Sequence, residues 1–182
     1  MSTVKFPGNV RQLGHVVADL DSAVAAWSKA FGVGPWMIMR NVPMQAMYLG
    51  KPSVPVIDLA LGYRGDVQIE LIQQKNDVAS PYRGYAERGQ FGLHHLGFLC
   101  ERMEDDVARA QLHGLKLVMD IRMNGGRYVY FESPVPGEKT YIEFLEATPT
   151  IKQMFDVGVP AAAAWDGKSG PMVIDYASMK PA

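Results

Sequence analysis

The chain has 182 residues, 48% of them hydrophobic and 20% charged, and 18 Lys plus Arg against 19 Asp plus Glu give a formal net charge of -1. This is the composition of one globular domain, without the basic block of a nucleic-acid binder or an apolar run of the roughly 18 residues that a spanning helix needs. Cys100 is the single cysteine, which excludes an internal disulfide and every zinc site built on several thiolates.

The start, from Met1 to Gly8, has no apolar signal-peptide core and reads as cytoplasmic. Residues 10–17 form an apolar run with His15 near its end, the pattern of a strand. Asp19 and Asp21 then offer N-cap oxygens, and Leu20, Val24, Trp27 and Phe31 recur at helical spacing. Gly32 and Pro35 stop that pattern, so 19–31 is predicted as an amphipathic helix. Strand-like runs follow at 36–49, 54–63 and 66–74, the last two joined by turn residues Tyr63-Arg64-Gly65-Asp66. The polar stretch 76–90, with Pro81, Gly84 and Gly89, reads as a linker with at most a helical turn.

The pattern then restarts. Residues 92–99 form a short apolar run with His94 and His95, 104–113 a second helix closed by Gly114, and 115–122, 127–132 and 140–146 three more strands. His15 pairs with His95 at an offset of 80, Gly32 with Gly114 at 82, and Ile69-Glu70-Leu71-Ile72 with Ile142-Glu143-Phe144-Leu145 at 73. A strand–helix–three-strand unit is therefore used twice. The expectation is an α+β fold: modules 9–75 and 91–148 form one domain with a shared cupped sheet, followed by a C-terminal extension, 149–182, of a short helix and an extended tail.

Each half has a His on its first strand and a Glu inside its last. Strand alternation puts Gln68, Glu70 and Ile72 on one face of 67–73, and Tyr141, Glu143 and Leu145 on one face of 141–145. A lone Glu in an apolar strand is costly to bury unless paired or bound to a cation. Histidines packed in the core beside Arg- or Lys-paired glutamates are the alternative for any one of these residues. The doubled pattern instead makes His15, Glu70, His95 and Glu143 a set of metal ligands. Two imidazoles and two carboxylates suit Zn, Ni, Co, Fe or Mn and leave positions for water or substrate oxygen.

The fragments Leu13-Gly-His-Val-Val-Ala-Asp-Leu-Asp21, Val67-Gln-Ile-Glu-Leu-Ile72, Leu93-His-His-Leu-Gly-Phe98 and Pro136-Gly-Glu-Lys-Thr-Tyr-Ile-Glu-Phe-Leu-Glu146 resemble, in order and spacing, the vicinal oxygen chelate superfamily. That group includes glyoxalase I, methylmalonyl-CoA epimerase, extradiol dioxygenases and bleomycin-resistance proteins. The resemblance covers residues 10–148 and implies paired βαβββ modules around a metal cup, with the ligands on His15, Glu70, His95 and Glu143. It selects His95 over His94, and alternation likewise turns His94 away. It also implies self-association as a homodimer. Its epimerases use a carboxylate base on the strands after the first helix, where this chain has Gln45 and Tyr48. The expected reaction is metal-dependent proton transfer next to a carbonyl, as in an isomerase, epimerase or lyase, with Glu143 and Glu70 as acid–base groups. A non-haem iron dioxygenase and a metal-free binding or resistance protein are the competing readings. Tyr48, Gln45, Gln68, Tyr128, Tyr130 and Tyr141 are candidate substrate contacts. The methionines of 36–47 are candidate walls of an apolar groove.

Overall fold

The structure, a computed structural model, describes residues 7–123 and 125–178. Residues 1–6, at the start read as lacking a signal peptide, and the last four residues of the C-terminal extension lie outside the described residues.

Strand β1 (Val10–Val16) leads to Asp19, whose carboxylate accepts from the Ser22 amide and caps α1 (Leu20–Phe31). The helix ends on Gly32 at φ 63°, a left-handed conformation glycine adopts without strain. Strands β2 (Met37–Pro43), β3 (Ala46–Tyr48), β4 (Lys51–Ser53), β5 (Val56–Arg64) and β6 (Val67–Gln74) follow. After them come α2 (Pro81–Glu87), β7 (Gly92–Cys100), α3 (Met103–Leu112), β8 (Leu117–Met123), β9 (Gly126–Glu132) and β10 (Tyr141–Glu146). Helix α4 (Pro149–Ala163) and β11 (Met172–Asp175) close the described chain. The fold is α+β, and the strands form one mixed sheet in the order β11-β2-β5-β6-β1-β7-β10-β9-β8-β3-β4. None of the described helices is long and apolar enough to cross a membrane.

Strands β1 and β7 run antiparallel near the middle of the sheet, and each has a parallel partner on its other side, β6 and β10. Helix α1 packs Leu20, Val24 and Trp27 against Ile38, Ala60, Ile69 and Leu71. Helix α3 packs Met103, Val107 and Ala110 against Phe98, Phe131 and Phe144. The other face gathers Met44, Ile57, Leu59, Ile72, Met119, Ile121 and Tyr130.

The predicted strand 36–49 is broken. Asn41 takes φ 55°, the β2–β5 register slips between Met39 and Val42, and Pro43 has no N–H to continue a ladder. The chain then pairs through β3 with β8 of the other half, Ala46 opposite Ile121. Only Met44 and Gln45 separate β2 from β3, a link that spans at most about 11 Å. The two ends of the sheet must therefore curl towards each other into a cup. The polar stretch expected as a linker contains α2, capped by the Ser80 hydroxyl with Pro81 in its first turn and with Tyr82 and Tyr85 buried. Helix α4 seats Ile151 and Phe155 against Tyr63, and β11 covers the β2 edge.

Candidate metal centre

Two neighbouring rungs of the sheet build the site. Glu70 on β6, Gly14 on β1 and His95 on β7 stand side by side, and Gln12 on β1, Gly97 on β7 and Glu143 on β10 form the next rung. Each rung is a glycine between a carboxylate and a second polar side chain. The glycines are there for space. A Cβ on Gly14 would lie 1.8–2.4 Å from three atoms of the His95 ring, and one on Gly97 would lie 2.8 Å from Gln12 Cβ and Oε1.

His95 Nε2 lies 3.1 Å from Gln12 Oε1, 3.1 Å from Glu143 Oε2 and 3.2 Å from Glu70 Oε2. One ring nitrogen carries at most one proton, so it cannot satisfy three acceptors. Ligand atoms about 2.1 Å from a shared ion and at right angles to one another stand about 3.0 Å apart. The spacing thus fits a divalent cation. The buried Glu143 Oε2, which has no aligned hydrogen-bond donor, fits it too.

The electrostatics point the same way. Two carboxylates at this depth require compensating positive charge. Burial alone would lower the pKa of His95, but the adjacent carboxylates of Glu143 and Glu70 outweigh it and push it up to about 9. Burial raises the Glu70 carboxyl, and the neighbouring Glu143 charge adds to that against the pull of His95. Without a metal ion, a proton on His95 supplies the positive charge.

His15 is not brought to this set. Gln12 and Gly14 face the cup, so His15 points to the opposite side, where its ring meets the edge of Trp27 on α1 at 4.9 Å. Of the four expected ligands the structure brings Glu70, His95 and Glu143 together, and Gln12 stands where His15 was expected. The sequence carried a signal for it. Gln12-Leu13-Gly14 and His95-Leu96-Gly97 are 83 residues apart, close to the Gly32–Gly114 offset. The offset of 80 that paired two histidines was the wrong register. His94 does not turn away either. Gly14 pairs with His95 and His15 with Leu93, so His94 is the extra residue of a β-bulge. The bulge buries His94 among Tyr82, Tyr85, Tyr130 and Tyr141, with Nδ1 3.0 Å from His95 Nδ1. Burial, then the adjacent His95, lowers the pKa of His94 well below the usual value, so it stays neutral and can accept from His95.

A cavity of about 240 Å³ opens above the carboxylates. Gln68, Tyr128 and Tyr130 line it, as do Met37, Met39 and Met44. Tyr82 of α2 lines it as well and hydrogen-bonds the Tyr130 hydroxyl at 3.0 Å. Tyr82 was missed because its helix looked like linker. Gln45 is exposed, because the β2–β3 link turns Met44 inward instead. Tyr48 packs half-buried on the core, and Tyr141 lies against His94 outside the cavity lining. Among the described residues no Lys or Arg lines the cavity. Arg127 is held by Asp120 and Glu104.

Residues 11–131 match the model of a family described as the glyoxalase/bleomycin resistance protein/dioxygenase superfamily. No curated protein matches the sequence. Among solved structures, methylmalonyl-CoA epimerase from Mycobacterium tuberculosis is 18% identical with a TM-score of 0.58, covering 84% of this chain and 97% of its own. A variant of the Streptomyces coelicolor epimerase in complex with 2-nitronate-propionyl-CoA is 14% identical with a TM-score of 0.58, over 80% of this chain and 97% of that one. A hypothetical protein from Bacillus halodurans is 14% identical with a TM-score of 0.56, over 77% and 94%. At these identities the likeness concerns the fold.

Proposed function

The chain belongs to the glyoxalase/bleomycin resistance protein/dioxygenase superfamily, and from that premise we propose that it is a metal-dependent enzyme moving a proton next to a carbonyl group of an apolar small molecule. One observation carries the reading: Gln12, Glu70 and Glu143 converge on His95 Nε2 at 3.1–3.2 Å on the floor of a largely apolar cavity. The donor set is one imidazole, two carboxylates and one amide oxygen. It is richer in oxygen than the two-imidazole set expected, and it shifts preference within Zn, Ni, Co, Fe and Mn towards the harder ions.

A divalent cation bound there supplies stabilisation of the negative charge that develops on a carbonyl oxygen. The protein's own groups do the rest. Glu143 accepts the proton from the carbon next to the carbonyl, and Glu70, on the other rung, is placed to return one on the opposite side. Tyr128 and Tyr130 keep their phenolic protons, since burial and then the Glu143 charge raise both, and offer hydrogen bonds to a substrate oxygen. Methionines shape the rest of the cavity around the substrate's apolar part. With no cation in the lining, the reading favours an uncharged tail over an acidic one such as a CoA phosphate. A cavity of about 150 Å³ accommodates one benzene ring, so one of about 240 Å³ accommodates about ten non-hydrogen atoms in proportion. The iron dioxygenase alternative needs two imidazoles and one carboxylate, and the cluster offers one imidazole. The free edges of β4 and β11 favour self-association as a homodimer, which light scattering reads.

The test is deuterium exchange. Candidate apolar carbonyl compounds are incubated in heavy water with protein loaded with Mn, Co or Zn. Metal-dependent exchange that disappears in Glu143→Gln supports the reading. A protein that binds none of these ions, or that consumes oxygen while cleaving catechol rings, refutes it.

A further inference from the structure

Residues 132–178 lie outside the family match, yet helix α4 from that stretch is joined to the metal centre by an unbroken chain of side-chain hydrogen bonds. On one rung of the sheet, Tyr63 of β5, Gln68 of β6 and Gln12 of β1 stand next to one another. The Tyr63 hydroxyl donates to the Met154 carbonyl of α4 at 2.9 Å. Gln68 Nε2 donates to that hydroxyl at 2.6 Å, and Gln12 Nε2 donates to Gln68 Oε1 at 2.8 Å. Gln12 Oε1 is then left facing His95 Nε2 at 3.1 Å. Gln12 and Gln68 are each 3% exposed, so water does not supply alternative partners.

The direction of this chain is forced from its far end. A backbone carbonyl can only accept, so Tyr63 must spend its single proton on Met154 and can only accept from Gln68. Gln68 therefore turns its NH2 to Tyr63 and its oxygen to Gln12. Gln12 must turn its NH2 to Gln68 and its oxygen to the centre. An amide flip at Gln12 would present N–H groups, which repel a cation, and would set two amide oxygens against each other. The contact with α4 is built for closeness, because a Cβ on Gly158 would lie 2.1–2.7 Å from the Tyr63 ring.

Resting on the metal-dependent reading above, we infer that helix α4 fixes Gln12 as an oxygen ligand through Tyr63 and Gln68, two positioning residues that never touch the ion. The helix also forms part of the cavity wall through Ile151, Met154 and Phe155. A substrate that shifts α4 therefore alters how firmly Gln12 is held, and an ion on Gln12 steadies the wall. Substrate and metal binding are coupled through one polar rung.

The experiment measures Co(II) affinity by titration in the full chain, with thermal melting of the metal-free protein as control. Tyr63→Phe keeps the ring that packs on Phe155 and Gly158 and removes only the donor. Its Co(II) Kd rises about 10- to 100-fold, the usual effect of losing a group that orients a ligand, with a changed cobalt absorption spectrum and a nearly unchanged melting temperature. Gln68→Met gives the same loss and serves if Tyr63→Phe folds poorly. In Gln12→Glu, which presents oxygen whichever way its side chain turns, adding Tyr63→Phe causes no further loss. Wild-type binding with an unchanged Kd in Tyr63→Phe and Gln68→Met overturns the inference, as does a Tyr63→Phe penalty that persists in Gln12→Glu. Absence of Co(II) binding by the wild type overturns the metal reading itself.

Discussion

Protonation of His95 links stability and metal uptake in a way that can be measured. The pKa of His95 in the folded, metal-free protein is raised to about 9, against about 6.5 when unfolded. A raised histidine stabilises the fold fully below its unfolded pKa and loses that stabilisation as the pH rises through the folded value. The difference of about 2.5 units corresponds to about 3 kcal/mol, of which about 2 kcal/mol is lost between pH 7 and pH 9.5. Above about pH 8.5 Cys100 adds to the fall, because burial holds its thiol protonated in the fold while the unfolded thiol ionises there. His15 and His94 have lowered values and act below about pH 6.5, while the buried tyrosines, with raised values, act above about pH 10. Denaturant unfolding of chelator-treated protein should thus show stability falling from pH 7 to 9.5, with the fall between pH 7 and pH 8.5 abolished in His95→Gln and the Cys100 contribution above it retained. On the proposed metal-dependent reading, an ion takes the place of that proton on Nε2. Loading at pH 7.5 should release about one proton per ion, and apparent affinity should rise about tenfold per pH unit until about pH 9. Metal-free stability that is flat or rising over this window, or metal uptake without proton release in weakly buffered solution, would refute the reasoning.

Gly14→Ala places a methyl inside the His95 ring. It should cost about 1–3 kcal/mol of stability and at least about a hundredfold in metal affinity, read by melting and by Co(II) titration. His15→Phe should keep metal affinity within about twofold, because that ring sits against Trp27 on the other side of the sheet; loss of metal in this variant would restore His15 to the site. Met37→Trp fills part of the cavity mouth from a half-buried position, so it should raise KM for bulky substrates while metal content, read by elemental analysis, stays unchanged.

Local periodicity was enough to read most elements. The apolar stripe Leu20, Val24, Trp27 and the glycine stop at Gly32 are α1, and alternation over 67–72 put Gln68 and Glu70 on the cup face. The failures share a cause: each depended on something alternation does not encode. A bulge at His94 adds a residue and restores a side chain to the face it should have left. The departure of β3 to pair with β8 is a contact between residues more than 70 apart, invisible to any local window. Gln12 went unnoticed because His15, three residues later, was the more conspicuous candidate. Only Gly14 and Gly97, two places on from Gln12 and His95, mark the register, since each makes room for a polar side chain of the site on the neighbouring strand.

The two rungs of the centre do not match, with a histidine on one and an amide on the other. Two identical subunits meeting on an axis could not arrange this, because any residue placed on one side would appear on both. A tandem repeat within one polypeptide escapes that constraint, and its copies are free to drift apart. The pair of carboxylates, though symmetrically placed, consequently looks out on different surroundings. A prochiral molecule entering the cup meets a left and a right that differ, and the pocket can prefer one handedness of product without any further asymmetry in its walls.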